Sequence, residues 1–410
     1  METVSDNLLE LIKNSPVEWK KLEEVFILRN GYTPSKANKD YWKDGDVPWF
    51  RMEDLRTNGS VLSSAIQKVH HSGVKGKLFS ANSLIMATTA TIGEHALITV
   101  DYLCNQQFTN FTIKDEFIEL LNNKFVYYYF YVFDEIAKNN LNQSSMPSVQ
   151  MSVLKKADFP IPPLEIQEKI VEFLDKMTKY VTELTAELTL RKQQYNYYRD
   201  KLFSEDELVK VGFEKKTLGE VGEFIRGNGM QKKDFVAEGF PAIHYGQIYT
   251  KYGLEATETF TFVSDELAKK LKKAKMNDLI IATTSENIED VGKSLVWSGD
   301  FEVAIGGHSC VYFSDVLNSK FLAYYMKTNE FQKAKMKKCL GTKVIELYPK
   351  NLATLKIPIP PLSEQARIVT ILDKFDTLIH SVSEGLPKEI KLRQKQYEYY
   401  RELLLGFSQD

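Results

Sequence analysis

At 410 residues, with 43% hydrophobic and 26% charged side chains, the chain is long enough for two or three globular domains, each with its own core. A formal net charge of -2 excludes a molecule-wide basic footprint, so any nucleic-acid binding must come from local patches or a partner. Cys104, Cys310 and Cys339 stand far apart with no CxxC, and the six histidines include one adjacent pair, which excludes a disulfide framework or cysteine zinc site and indicates no metal site.

The chain opens on METVSDNLLELIKNSP, which alternates acids with leucines and does not build a signal peptide. No apolar run approaches the roughly 18 residues that span a bilayer, so the expectation is a cytoplasmic protein without membrane attachment. Short β-like runs follow, SLIMATT and ALITV among them, with turn signals between and then an aromatic helix, KFVYYYFYVFDEIAK at 124–138. PIPPLEIQEKIVEFLDK at 160–176 comes next. From Ile170 the series Leu174, Met177, Val181, Leu184, Leu188, Arg191, Tyr195, Tyr198 and Leu202, apolar except for Arg191, alternates steps of four and three, a heptad seam sustained for more than four heptads. At about 1.5 Å per residue a helix from Glu165 to Leu202 is roughly 55 Å long.

The second half repeats this order. PAIHYG and DLIIATT read as strands, KFLAYYMKTNEFQKAK at 320–335 as the aromatic helix, and PIPPLSEQARIVTILDK at 358–374 as a second helix start. Its seam runs Ile368, Leu372, Phe375, Ile379, Val382, Leu386, Ile390, Arg393, Tyr397, Tyr400 and Leu404, with one extra step of four at Gly385 and Pro387 that predicts a kink or short break. Pro160 pairs with Pro358, Gln167 with Gln365 and Asp175 with Asp373, all 198 residues apart, while the YYR tails at 197–199 and 399–401 are offset by 202. LIMATT and LIIATT echo one another at 195. The pattern is A, B, A′, B′. The predicted fold class is α+β: two globular mixed α/β units, 1–159 and 205–357, each followed by a long helix, 160–204 and 358–410. The two helices form an antiparallel coiled coil, and the whole is a pseudo-two-fold internal repeat.

Catalytic signatures are missing. There is no GxxxxGK[ST], no GxSxG and no Asn-Pro-Pro-aromatic methyltransferase motif, and RGNGM at 226–230 lacks the third glycine and the strand-turn-helix setting of a dinucleotide site. No cofactor is indicated. What remains is binding through loops where cations, amides, hydroxyls and aromatics cluster at turns. In the first unit these offer Arg29, Tyr32, Thr33, Lys36, Arg51, Thr88, Thr89, Gln106 and Gln107. In the second they offer Arg226, Lys232, Lys233, His244, Tyr245, Gln247, Thr283, Thr284, Ser285 and His308. Arg and Lys read guanine edges, Asn and Gln pair with adenine, Thr does either or meets a thymine methyl, and nearby lysines suit phosphates.

With these motifs assembled, the chain resembles the specificity subunits of Type I restriction-modification systems along essentially its whole length. The carriers are the duplicated PIPPL helix starts with their DK pairs, the tails QQYNYYRDKLF and KQYEYYRELLL, the LIMATTATIG and LIIATT loops, NQQF, GYTPSK before VPWFRMEDL, and TELTAELTL at 182–190. The resemblance implies that each A unit is a target recognition domain reading one half of a split double-stranded DNA sequence, and that the paired helices set the gap. It further implies docking of two methyltransferase subunits that methylate adenine with S-adenosylmethionine, motor-nuclease subunits adding ATP-dependent restriction, and no catalytic residue in this chain. The second unit carries GGHS and MQKK where the first has NQQF and TPSK. A reading from another class, a scaffold whose helices hold two protein-binding domains without reading DNA, fits the same empty motif search.

Overall fold

Pro160 and Pro358 lack a backbone donor, which confines them to sheet edges, and each lies within a strand of a two-stranded pair, opposite Trp19 and Lys215 respectively. The computed structural model describes residues 2–142, 147–381 and 384–407. In chain order the first half forms α1 (Glu2–Lys13), β1 (Glu18–Lys21), β2 (Phe26–Asn30), β3 (Val47–Phe50), α2 (Met52–Asn58), β4 (Val61–Leu62), β5 (Lys68–Val69), β6 (Ser83–Ala87), β7 (His95–Ile98), β8 (Leu103–Cys104), β9 (Phe108–Ile113), α3 (Asn123–Asn139), β10 (Asp158–Ile161) and α4 (Leu164–Leu202). The second half forms β11 (Glu214–Thr217), β12 (Glu223–Arg226), β13 (Phe240–Ile243), α5 (Tyr245–Thr250), β14 (Glu255–Ala256), β15 (Thr261–Val263), β16 (Leu279–Ala282), β17 (Ser294–Trp297), β18 (Val303–Ile305), β19 (Ser309–Phe313), α6 (Ser319–Met326), α7 (Asn329–Met336), β20 (Lys356–Ile359), α8 (Leu362–His380) and α9 (Gly385–Leu405).

These elements group into two units, Met1–Glu183 with Lys391–Asp410, and Leu184–Ile390. In the first unit a five-stranded sheet has the order β2-β9-β6-β7-β4, a small sheet the order β5-β3-β8, and β1 pairs with β10. The second unit repeats this with β12-β19-β16-β17-β14, with β15-β13-β18 inside a five-stranded sheet, and with β11 against β20. Parallel pairs fall at the same places, β3 with β8 and β13 with β18, β4 with β7 and β14 with β17. The α+β class and the internal repeat are therefore present at the level of strand order.

The aromatic helices fill the cores. In the first unit α3 buries Phe125, Phe130 and Phe133, and Phe130 meets Phe26 and Phe111 edge-on at ring distances of 5.7 and 5.0 Å. In the second, Phe321 and Tyr325 of α6 pack on Phe203 at 4.9 and 5.4 Å. The single helix expected over 320–335 is two. Thr328 interrupts it, its hydroxyl accepting from the Phe331 amide at 3.3 Å as the N-cap of α7.

Each PIPPL carries the last strand of its unit into a helix, because two prolines suit a first turn whose N–H groups have no partner anyway. The repeated glutamine four residues past the final proline of PIPPL locks this junction. Fully buried Gln167 accepts from the Asn122 amide at 2.8 Å and donates to the carbonyls of Leu120 and Pro162 at 2.8 and 2.7 Å. Gln365 does the same with Asn318, Val316 and Pro360 at 2.8, 3.0 and 2.9 Å. Eight residues on, Asp175 accepts from the Tyr128 hydroxyl at 2.7 Å and from Lys124, and Asp373 from Tyr324 at 2.7 Å and Lys320. The residues that made the repeat visible are those that bolt an aromatic helix to a heptad helix.

Within the first unit, Phe173 of α4 meets Tyr400 of α9 at 5.2 Å, and seven residues on along α4 and seven back along α9 the Arg393 guanidinium lies 5.3 Å from the Tyr180 ring, so the two run antiparallel. Within the second, Tyr198 of α4 stacks on Phe375 of α8 at 5.9 Å and Tyr195 meets His380 at 5.9 Å, again antiparallel. Ile170, Leu174, Met177, Leu184, Tyr195, Ile368, Leu372, Ile379, Tyr400 and Leu404 of the predicted seam are buried, while Tyr198 stays 39% exposed. Val382 lies outside the described residues. The predicted break is found: α8 ends at His380 and α9 begins at Gly385. Gly385 has φ +70°, and a Cβ there would come within 2.6 Å of the Thr377 carbonyl oxygen and 2.7 Å of that of Leu378. Pro387 falls in the first turn of α9. Among the described residues no helix is long and apolar enough to cross a membrane.

Candidate nucleic-acid interface

In an antiparallel sheet the end of one strand lies beside the start of the next, so three neighbouring strands can present three distant loops at one edge. In the first unit β2 ends, β9 begins and β6 ends at the same edge: Asn30 is opposite Thr109 and Ala87 opposite Phe108. The pairing continues past the strands, with the Gly31 amide donating to the Phe108 carbonyl at 2.9 Å and the Thr88 amide to that of Gln107 at 2.9 Å. The second unit builds the same edge from β12, β19 and β16. There Gly227 donates to Ser309 at 2.9 Å and Thr283 to His308 at 2.9 Å. Segments 29–36, 88–93 and 104–107 thus share one edge of the first unit, and 226–233, 283–291 and 306–308 share the corresponding edge of the second.

Glycine is required where these loops touch. A Cβ at Gly31 would stand 2.1 Å from the Asn105 carbonyl oxygen, and one at Gly227 2.1 Å from that of Gly306. RGNGM is accordingly a loop turn, as its context predicted. The parallel pairs bring a fourth segment to the edge: Arg51 directly after β3, and His244 directly after β13.

The candidate side chains divide by exposure. Lys36, Gln106, Arg226, Lys232, Lys233 and His308 are exposed, and Arg29, Tyr32, Thr33, Arg51, Thr89, Gln107, Tyr245 and Gln247 are half-buried. Thr88, His244, Thr283, Thr284 and Ser285 are buried. In the first unit Thr33 donates to Gln106 Oε1 at 2.5 Å, and Gln107 both donates its amide to Asn105 and accepts from the Asn105 side chain at 3.1 Å. Thr88 Oγ1 is within 3.0 Å of Thr109 Oγ1, facing the sheet. Arg29 turns away from the loops, donating to the carbonyls of Lys77 and Leu78 at 2.7 and 3.3 Å above the Phe79 ring. Tyr32 accepts from the Lys75 amide at 2.6 Å, and Arg51 pairs with Glu53 at 2.9 Å.

In the second unit the candidates meet one another. The His308 ring lies 3.0 Å from Thr284 Oγ1 through Nδ1, and its centroid is 5.0 Å from that of Tyr245, which in turn is 4.4 Å from His244. His244 is the N-cap of α5: Nδ1 accepts from the Gly246 amide at 3.2 Å, while Gln247 Oε1 accepts from the His244 amide at 3.1 Å. Burial, with Lys232 and His308 nearby, holds the His244 imidazole below its ordinary pKa, so near neutral pH it is the uncharged acceptor the cap needs. Gln247 also donates to Thr261 at 2.5 Å, and the Arg226 guanidinium lies 5.7 Å from the Tyr348 ring. The arrangement offers amide, imidazole and guanidinium groups with hydrogen-bonding capacity at the strand edge. Among the described residues no group of three His, Cys, Asp or Glu side chains gathers as a metal site would.

The family model for the Type I restriction modification DNA specificity domain matches this chain twice, at residues 14–191 and 210–392. The chain belongs to that family. Among Type I specificity subunits it is similar to the EcoprrI specificity subunit of Escherichia coli, 36% identical over 394 residues that cover 92% of each chain. It is also 30% identical to a putative type I specificity subunit of Haemophilus influenzae, over 98% of each. In fold it matches a chain from a structure of complex assembly and conformational transition in the type I R-M system (TM-score 0.67, 18% identity, 96% of this chain and 99% of that one). It likewise matches the HsdS subunit of Thermoanaerobacter tengcongensis (TM-score 0.50, 19% identity, 95% and 97%). Two side chains outside the predicted set touch its members at this edge. Asn105 stood inside the quoted NQQF string and supports Gln107, whereas Tyr348, beside Arg226, lies more than a hundred residues along the chain and gave no signal.

Proposed function

We propose that this specificity subunit recognises a bipartite double-stranded DNA sequence without catalysing a reaction, with residues 1–159 and 205–357 as target recognition domains that each read one half. The helices at 160–204 and 358–410 set the spacing and dock two methyltransferase subunits, and motor-nuclease subunits join them in the cytoplasm. The single observation behind this reading is the edge that both units build from corresponding strand ends, carrying Thr33, Gln106 and Gln107 in one and Arg226, Tyr245 and His308 in the other. Gln106 and Gln107 have the amide groups to pair with an adenine edge and Arg226 the fork to pair with guanine. Lys36, Lys232 and Lys233 are exposed cations suited to phosphates. Thr89, Tyr32 and Gln247 line the same loops, while Thr88, Thr283, Thr284, Ser285, His244, Arg29 and Arg51 shape them.

Methylome sequencing of a host with and without the gene is the test. The expected outcome is adenine methylation at one bipartite motif that disappears with the gene, and an unchanged methylome would refute the reading. Exchanging residues 1–155 for those of another family member should change one half-site only.

A further inference from the structure

Lys335 has no exposed surface at the end of α7, far in sequence from every loop at the reading edge, and burial lowers its ammonium pKa from the ordinary lysine value. Its Nζ donates to three backbone carbonyls, those of Val291 at 2.8 Å, Ile288 at 3.0 Å and Glu289 at 3.4 Å. Those carbonyls form the return limb of the loop that leaves β16 at Thr283 and rejoins the sheet where the Gly292 amide donates to Ala282 at 2.8 Å. Burying a cation is costly unless its donors are used, and here they go to one loop. Gly292, at φ +79°, makes room: a Cβ there would be 2.9 Å from Lys335 Cδ.

The first unit has the same layout without the anchor. Gly93, φ +87°, donates to Ala87 at 3.0 Å, and the stem of Lys138 passes over it, Cε 2.9 Å from where a Cβ would stand. Lys138 is exposed, however, and its Nζ goes to Glu135 at 2.8 Å. The enclosed loop is 88–92, five residues, against 283–291, nine residues, in the second unit. The longer loop has more conformations to lose on ordering.

We infer that Lys335 is a positioning residue for base recognition by the second unit: its three carbonyl bonds fix the return limb at 288–291, opposite Thr284 and Ser285, which pair with Glu346 and Ile345, and so hold Thr284 and His308 in the geometry that reads the second half-site. This rests on the DNA-reading function proposed above. Loss of the anchor should blur the second half of the motif and leave the first half intact. A loss of stability confined to the second unit would instead lower methylation of the whole motif without relaxing any single position.

The test compares wild type, Lys335→Met and Lys335→Arg in the host that carries the modification subunits. Methionine fills the site without a charge, while the loop carbonyls turn to water. Discrimination at one or more second-half positions should fall about tenfold in Lys335→Met, with the first half unchanged, and Lys335→Arg should retain most of it. Undiminished second-half discrimination in a folded Lys335→Met chain overturns the inference. A wild type with no motif refutes the DNA-reading function instead, and hydrogen exchange then still tests the anchor. In the wild-type full chain the amides of 288 and 289, which unlike those of 290 and 291 do not bond Asn287, should exchange about tenfold more slowly than those of 89–92. Equal rates overturn the anchor, including in the case where Lys335→Met does not fold.

Discussion

Gln167 and Gln365 make the same three hydrogen bonds, 198 residues apart, with donor–acceptor distances that all fall between 2.7 and 3.0 Å. Gln107 and His308 occupy equally matched backbone positions, each accepting from a threonine amide at 2.9 Å, yet share no side-chain chemistry. The two units therefore repeat side chains where a domain joins its helix, whereas where the sheet ends they keep the ATT string and the loop glycines but change the side chains of the facing loop. Hydrogen bonds between main-chain groups hold these loops at the edge, so away from the close-packed glycines the side chains of the facing loop can differ between the units. The domain–helix junction works through side chains and cannot.

The strongest way to break this comparison is at the glutamines. Gln167→Leu leaves a buried amide and two buried carbonyls without partners and should cost the first unit about 3 kcal/mol, and Gln365→Leu the same in the second. Differential calorimetry with unit-resolved hydrogen exchange measures both, and a cost confined to one unit would mean that the junctions are not equivalent. Tyr128→Phe and Tyr324→Phe probe the next layer. Each removes a 2.7 Å bond to a carboxylate, and a matched loss of about 1.5 kcal/mol is expected. At the edge the comparison inverts. Gln107→His should alter only the first half of the methylated motif and His308→Gln only the second, each by about 1 kcal/mol of discrimination, the low end for a base contact, with stability unchanged. Methylome sequencing reads the motif, and a change in the opposite half would reverse the assignment of halves to units.

Most of the frame was legible in the sequence. The heptad steps of Ile170 to Leu202 and the extra step at Gly385 follow from helical period, and PIPPL marks where strand becomes helix. The edge was legible as a set of loops, because glycines and polar residues at turns are local signals. Within the set, exposure was not. Thr88 and Thr284 look like free hydroxyls in ATT strings, but Thr88 faces Thr109 and Thr284 faces His308. Arg29 stood in a run that reads as basic and was spent on two carbonyls some fifty residues away. Lys335, ending KFLAYYMKTNEFQKAK, drew no reading from sequence, since its carbonyl partners lie 44 to 47 residues earlier. Such pairings depend on tertiary approach, which no periodicity encodes.

The smallest effect expected separates the units by pH. His244 caps α5 through an unprotonated Nδ1, whereas in the first unit Arg51 stands at the start of the corresponding helix, α2. Burial first, then the charges of Lys232 and His308, hold the folded His244 below the ordinary value of 6.5. As pH falls below about 6.5 the unfolded chain takes up its proton before the folded one does, so this contribution to stability is complete above 6.5 and is lost as pH drops through the folded value. Protonation also removes the lone pair that accepts from Gly246. The second unit should therefore show a slightly steeper loss of melting temperature than the first between neutral pH and about 5.5. His244→Asn keeps a capping acceptor that does not titrate and should abolish the excess slope. If the excess persists in His244→Asn, the acid sensitivity of the second unit has its source outside the cap.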